Sequence, residues 1–286
     1  MSYTYKNSVK SSVSDELINT YFFRPISYVL VKYIYETPIT PNQITLFSVF
    51  ISVLACLSLS FFTTPFTIFA GILILIKNIL DCADGQLART KNQTSREGRF
   101  LDSIGDFVSS LSIFIGISIF ILKTTSNPMM ILICLICFIC LLIRVSYYVF
   151  YSTSYLHLIG KYKDNRLSEE INKQDANKNK RTVLLQKIYL LIYGWQDKLI
   201  MIIDSICKST YREKDNSFID NWYKNNFALR LSSFLGLGTE LTIISFFLLI
   251  NSIEQYLYFN LIVMNSIFLA SIFYRGAILS NYSASY

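Results

Sequence analysis

The sequence predicts an all-α polytopic membrane protein with six transmembrane helices and amphipathic interfacial helices, and three observations predict it. The 286 residues are 52% hydrophobic and only 16% charged, with a mean hydropathy of +0.41, which is too apolar for an ordinary soluble domain. Apolar stretches long enough to cross about 30 Å of hydrocarbon recur along the chain. Two further segments carry apolar residues at helical spacing beside basic ones, the pattern of a helix lying in the headgroup plane.

The spans follow in order. Ile44 to Phe62 is free of charge, and Phe66 to Leu80 is interrupted only by Lys77. A third span runs from Asp102 to Leu122, polar at its start, and a fourth from Met129 to Phe150 with Arg144 embedded. Leu231 to Asn251 and Tyr256 to Tyr274 complete the six. Shorter loops divide by charge: Arg89, Lys91, Arg96 and Arg99 follow the second span and a lysine-rich segment follows the fourth, whereas the opposite loops hold Lys123 and Glu254. Positive loops stay on the cytoplasmic side, so both termini are expected there. The first forty residues are polar and broken by Pro25 and Pro38, so the spans themselves are expected to direct insertion.

Four segments result. Residues 1–42 form a cytoplasmic N-terminus whose Ile26, Val29, Leu30, Tyr33 and Ile34 make one amphipathic stripe. Residues 43–152 carry the first four spans, and 229–286 the last two with a tail. Between them, 153–228 combines a polar loop over Lys161 to Arg181 with a second stripe, Leu185, Ile188, Ile192, Trp195, Leu199, Ile202 and Ile206. A seventh span is the alternative for that stripe.

Composition excludes some functions. The net charge of +7 sits in loops between apolar stretches rather than on one basic face, so no nucleic-acid partner is expected. Membrane lipid and nucleotide phosphates fit that charge better. Of the six cysteines, Cys134, Cys137 and Cys140 lie inside an apolar run, and the single histidine, His157, stands apart from them. These read as packing and interfacial residues rather than zinc ligands.

The chemistry lies in DCADGQLARTKNQTSREGRFLDSIGDF, with carboxylates at Asp81, Asp84, Asp102 and Asp106. Asp81 and Asp84 are three apart and Asp102 and Asp106 four apart, so each pair shares one face if both segments are helical. Four carboxylates gathered near a membrane need compensating positive charge. Oxygen ligands without histidine or cysteine favour Mg²⁺ or Mn²⁺, ions that keep open positions for substrate phosphates. Arg89 can pair with a phosphate, and Gly85 and Gly98 let a ligand approach the backbone. The cluster suits a nucleotide diphosphate.

These residues match the signature DxxDGxxARx8GxxxDxxxD, and the sequence thereby resembles the CDP-alcohol phosphatidyltransferases. Asp81, Asp84, Gly85, Ala88, Arg89, Gly98, Asp102 and Asp106 fill every fixed position. At about 5% per position, eight matches arise by chance with a frequency on the order of 10⁻¹⁰ per starting residue. Upstream, RPIS at Arg24 to Ser27 and TPITPNQIT at Thr37 to Thr45 resemble the entry to the first span in the inositol-phosphate-using branch. The likeness covers roughly half the chain and fades after Tyr151.

The resemblance implies that Asp81, Asp84, Asp102 and Asp106 hold two metal ions, Mg²⁺ or Mn²⁺, and that Asp106 also serves as the base. It implies a CDP pocket lined by Gly85, Ala88, Arg89 and Gly98, a CDP-alcohol donor, a small alcohol acceptor, CMP as the leaving group and a homodimer. A non-phospholipid phosphodiester synthase and a transporter with an acidic ion path are the competing readings. A transporter would more often show broken helices and an internal repeat, and the sequence displays neither.

Outside the signature, Arg144 and Arg275 read either as contacts for an acceptor phosphate or as snorkelling anchors. Glu240 reads as facing the cavity or pairing with Arg230. Lys77, one helical turn before Asp81, is a partner of the cluster or a snorkelling residue. Arg96 and Arg99 read as positive-inside anchors.

Overall fold

The structure is a computed structural model and describes residues 13–160, 180–209 and 222–279. All regular elements among them are helical. A short turn of π-helix, Asn19–Phe23, leads into α1 (Arg24–Ile34), and then come α2 (Pro41–Leu59), α3 (Thr64–Thr90), α4 (Arg96–Thr125) and α5 (Met129–Leu158). After the polar segment, whose residues 161–179 lie outside the described ones, comes α6 (Lys180–Ser209). Then follow α7 (Asn226–Ser233), α8 (Leu237–Leu249), α9 (Ile253–Phe259), a π-turn over Asn260–Met264, and α10 (Asn265–Phe273).

Among the described residues, six stretches are long and apolar enough to cross a membrane: α2, α3, α4, α5, α7 with α8, and Ile253–Ala277. The count agrees with the sequence, and α6 is not among them. Helix ends follow local chemistry. Thr40 and Gln43 form a reciprocal capping box at the start of α2, with Pro41 in the first turn, where its missing N–H costs nothing. Ser95 caps α4 by accepting from the Gly98 N–H at 2.9 Å. Asn92, in the left-handed conformation at φ 53°, turns the chain between α3 and α4.

That short turn sets the site. Asp84 lies six residues before the end of α3 at Thr90, and Asp102 six residues after the start of α4 at Arg96. In an antiparallel hairpin these two stand at the same height, with Asp81 and Asp106 about one turn further in. Helix α2 packs against both helices. It comes so close to α4 that a Cβ on Gly116 would stand 2.9 Å from Cys56 Cα, and small residues at such contacts are how membrane helices approach. Gly116→Val is therefore expected to lower the thermal unfolding midpoint in detergent, corresponding to about 1–3 kcal/mol.

Each amphipathic stripe is turned only partly away from the protein: Leu30 and Ile34 pack against the main core, and Leu185 and Ile192 against Phe100, Tyr189 and Tyr193. In α1, Ile26, Val29 and Tyr33 are exposed while Arg24, Ser27 and Val31 are buried; in α6, Trp195, Ile202 and Ile206 are exposed while Gln186, Tyr189, Tyr193, Gln196, Ile200, Asp204 and Cys207 are buried. The inward face of α6 makes polar contacts: Tyr193 donates to the Ser103 carbonyl at 2.7 Å, Ser146 to Gln196 Oε1 at 2.6 Å, and Tyr151 to Asp204 Oδ1 at 2.8 Å. The apolar residues that point outward can meet lipid rather than water, and the inside also holds the polar groups that need partners.

The fifth span departs from expectation. Instead of one helix over Leu231 to Asn251, the chain forms α7, breaks at Phe234 to Gly236, and resumes as α8. The sequence predicts no broken helix; the GLG run at Gly236 to Gly238 marks this one. Irregular backbone at membrane depth is tolerated where it borders a cavity, and Leu237 and Gly238 line one.

Candidate active site

A cavity of about 260 Å³ opens where α3 and α4 face each other, and all four signature aspartates line it. One carboxylate oxygen each from Asp81, Asp102 and Asp106 falls within a 4.8 Å span. Asp84 stands slightly apart, buried, and accepts a hydrogen bond from Thr45 Oγ1 on α2 at 2.6 Å. Hard oxygens from two rigid helices fit Mg²⁺ or Mn²⁺, so the residues present suit such an ion.

Lys77 belongs to this cluster and does not snorkel. Its ammonium is buried and donates to Asp106 Oδ1 at 2.6 Å and Asp81 Oδ1 at 3.1 Å. Of the residues expected to hold the nucleotide, Gly85 and Arg89 line the cavity. A Cβ on Gly85 would lie 3.2 Å from Arg89 Nη1, so the glycine leaves room for the guanidinium one turn on. Ala88 and Gly98 lie outside the cavity lining; a Cβ on Gly98 would meet Ser95 Oγ at 3.1 Å and Asn42 Oδ1 at 3.3 Å, beside the entry to α2. Arg99 lines the cavity as well, a role beyond that of a loop anchor.

The cavity is also lined by Asp15, Glu16 and Asn19, which no sequence motif marks, by Arg24 of the RPIS run, and by Tyr148 of α5 and Tyr189 of α6. Arg24 forms a buried ion pair with Asp15. Glu16 sits on the broken end of α8, accepting from the Thr239 N–H at 2.7 Å, Thr239 Oγ1 at 2.9 Å and the Gly238 N–H at 3.3 Å. Carboxylates suit helix N-termini, and this one arrives from 222 residues away.

Burial pushes the Glu16 carboxyl up to about 7, with the Asp15 charge adding to the shift and the Thr239 and Gly238 donors opposing it. An acid whose pKa is raised on folding holds its proton more firmly in the folded state, so the folded state is favoured below about 4.5 and loses that advantage as pH rises through about 7. Across that window the loss amounts to at most about 3 kcal/mol. Glu16→Gln is expected to flatten the fall in thermal midpoint between pH 5 and 8 that the unaltered protein shows.

The remaining charged candidates lie elsewhere. Arg144 and Glu240 are both 1% exposed, pair with each other at 3.0 Å and lie outside the cavity lining, so Arg144 does not snorkel and the carboxylate of Glu240 is engaged by Arg144. Arg275 is buried, donates to the Trp222 carbonyl at 2.8 Å, and lies 3.5 Å from the centroid of the Tyr151 ring. It is a packing residue outside the cavity lining. Cys134 and Cys137 are core, and His157 is exposed at the end of α5.

With this geometry, comparison with known proteins is specific. A model of the CDP-alcohol phosphatidyltransferase family matches residues 38–209. The chain belongs to that family. The match runs past Tyr151, where the resemblance in sequence fades, and takes in α6. Among curated proteins, an archaetidylinositol phosphate synthase of Pyrococcus horikoshii is 42% identical over 81 residues, 28% of this chain and 42% of that protein. A bifunctional IPC transferase and DIPP synthase of Archaeoglobus fulgidus is 40% identical over 68 residues, 24% of this chain and 13% of its own length. The inner membrane protein YnbA of Escherichia coli is 29% identical over 120 residues, 40% of this chain and 58% of that one. The chain thus spans between about an eighth and three fifths of these relatives. The first relative's name agrees with the resemblance of RPIS and TPITPNQIT to the inositol-phosphate-using branch.

Proposed function

We propose that this CDP-alcohol phosphatidyltransferase transfers a substituted phosphate from a CDP-linked donor to the hydroxyl of an acceptor alcohol and releases CMP. The observation that carries this reading is the cavity in which Asp81, Asp84, Asp102 and Asp106 meet Gly85 and Arg89. The aspartates would hold two Mg²⁺ or Mn²⁺ ions, which when bound supply the positive charge that neutralises a pyrophosphate. Arg89 pairs with a donor phosphate, Gly85 leaves the Arg89 guanidinium its room, and the family resemblance assigns Ala88 and Gly98 to the same nucleotide pocket.

Asp106 takes the proton of the acceptor hydroxyl. The resulting alkoxide attacks the β-phosphorus in line, the bond from that phosphorus to the bridging oxygen breaks, and CMP leaves with the oxygen. The product is a phosphodiester joining the two alcohols. Thr45 fixes the Asp84 carboxylate, and Lys77 orients those of Asp81 and Asp106. The name of the Pyrococcus horikoshii relative favours a phosphorylated polyol of the inositol-phosphate type as acceptor, with CDP-diacylglycerol or another CDP-alcohol as donor. The charge of the loops supports a cytoplasmic active site with both termini on the same side, and the family a homodimer.

A donor labelled at its β-phosphate tests the bond cleaved. The label is expected in the new phosphodiester, with unlabelled CMP released; label appearing in the nucleotide product would contradict transfer at the β-phosphorus.

A further inference from the structure

Lys77 is a costly residue to place where it is. It lies on α3 within a membrane-spanning stretch and is 1% exposed. A charge so buried requires partners, and its partners are two carboxylates from the cluster, Asp106 at 2.6 Å and Asp81 at 3.1 Å. These are two of the three residues whose oxygens come within 4.8 Å of one another. The ammonium therefore uses lone pairs that a metal ion would otherwise use, and does so between the helices, where two ions about 3.5–4 Å apart would share ligands.

Charge decides the consequence. Four aspartates carry four negative charges and Lys77 returns one. A first divalent ion leaves the cluster near neutrality, so a second would meet the first ion and the ammonium with little negative charge to offset either. The pyrophosphate of a CDP-linked donor carries two negative charges and restores that balance.

We propose that Lys77 is the resident counter-ion of the aspartate cluster, standing between Asp81 and Asp106 in place of a second metal ion. The free protein then holds one divalent ion and takes up another together with the donor's pyrophosphate. This rests on the reading of the cluster as the donor site.

The test counts Mn²⁺ bound to the full chain in detergent, from the loss of the free-ion paramagnetic signal, with and without CDP as the pyrophosphate probe. The unaltered protein is expected to bind one ion alone and two with CDP. Lys77→Met is expected to bind two without CDP, the second at least tenfold tighter than in the unaltered protein, and Lys77→Arg to behave as the unaltered protein does. Two ions of similar affinity in the unaltered protein without CDP, no second ion with CDP, or an unchanged count and affinity in Lys77→Met would each overturn the proposal. The counts on the unaltered protein decide the matter even if Lys77→Met does not fold. CMP release measured on the same preparation separates the two readings: the expected counts without CMP release from any donor sink the enzymatic function alone, whereas CMP release by a protein that holds two ions when free sinks the role of Lys77 alone.

Discussion

Asp81→Asn and Asp102→Asn are each expected to lower metal-dependent CMP release by about 10³ or more, with Mn²⁺ binding weakened in parallel. Both carboxylates belong to the group of three whose oxygens converge, and an amide in place of either removes a negative charge and one hard oxygen ligand. Asp84 differs, because one of its oxygens already accepts from Thr45. Asp84→Asn removes the same charge, while Thr45→Val leaves the charge and frees the carboxylate, so the pair separates charge from orientation. Mn²⁺ titration beside the activity assay distinguishes lost metal from lost fold.

Arg144→Met is expected to be the most destabilising single change outside the site, by about 3–5 kcal/mol, read as a fall of about 10 °C in the thermal midpoint in detergent. The guanidinium bonds Glu240 at 3.0 Å and Asn265 Oδ1 at 2.7 Å, while Glu240 also accepts from Asn260 at 2.6 Å and Tyr256 at 2.8 Å. The network joins α5, α8 and the last span around the π-turn at Asn260. Removing arginine alone strands a buried carboxylate. Adding Glu240→Gln removes that charge yet leaves an acceptor for Tyr256, so the double variant is expected to be more stable than Arg144→Met. A double variant less stable than the single one would contradict the pairing.

Much of the site was legible because its determinants are local. The spacing of Asp81, Asp84, Asp102 and Asp106 and one short turn are enough to bring two helix faces together, and charge-free runs are enough to count spans. The misread features depend on contacts across the chain. Arg144 and Glu240 are 96 residues apart and Glu16 and Gly238 are 222 apart, and no periodicity links either pair. The stripes of α1 and α6 were correctly seen as amphipathic, but periodicity distinguishes two faces without saying which faces the protein. The buried face of α6 mixes Tyr189, Gln196 and Asp204 with Ile200, and Leu185 and Ile192 of the stripe pack inward beside them. The break before α8 was written in Gly236 and Gly238, whose use becomes evident only once Glu16 is found against the freed amides.

Release of CMP by the purified protein tests the catalytic role of the cluster most directly. The assay offers CDP-diacylglycerol and soluble CDP-alcohols with a panel of acceptor alcohols, with Mg²⁺, with Mn²⁺ and with chelator, beside Asp106→Asn. Acceptor-dependent release that requires the metal and falls by at least about 10³ in Asp106→Asn is the expected result. No metal-dependent release from any donor and acceptor, or equal release by Asp106→Asn, would contradict it.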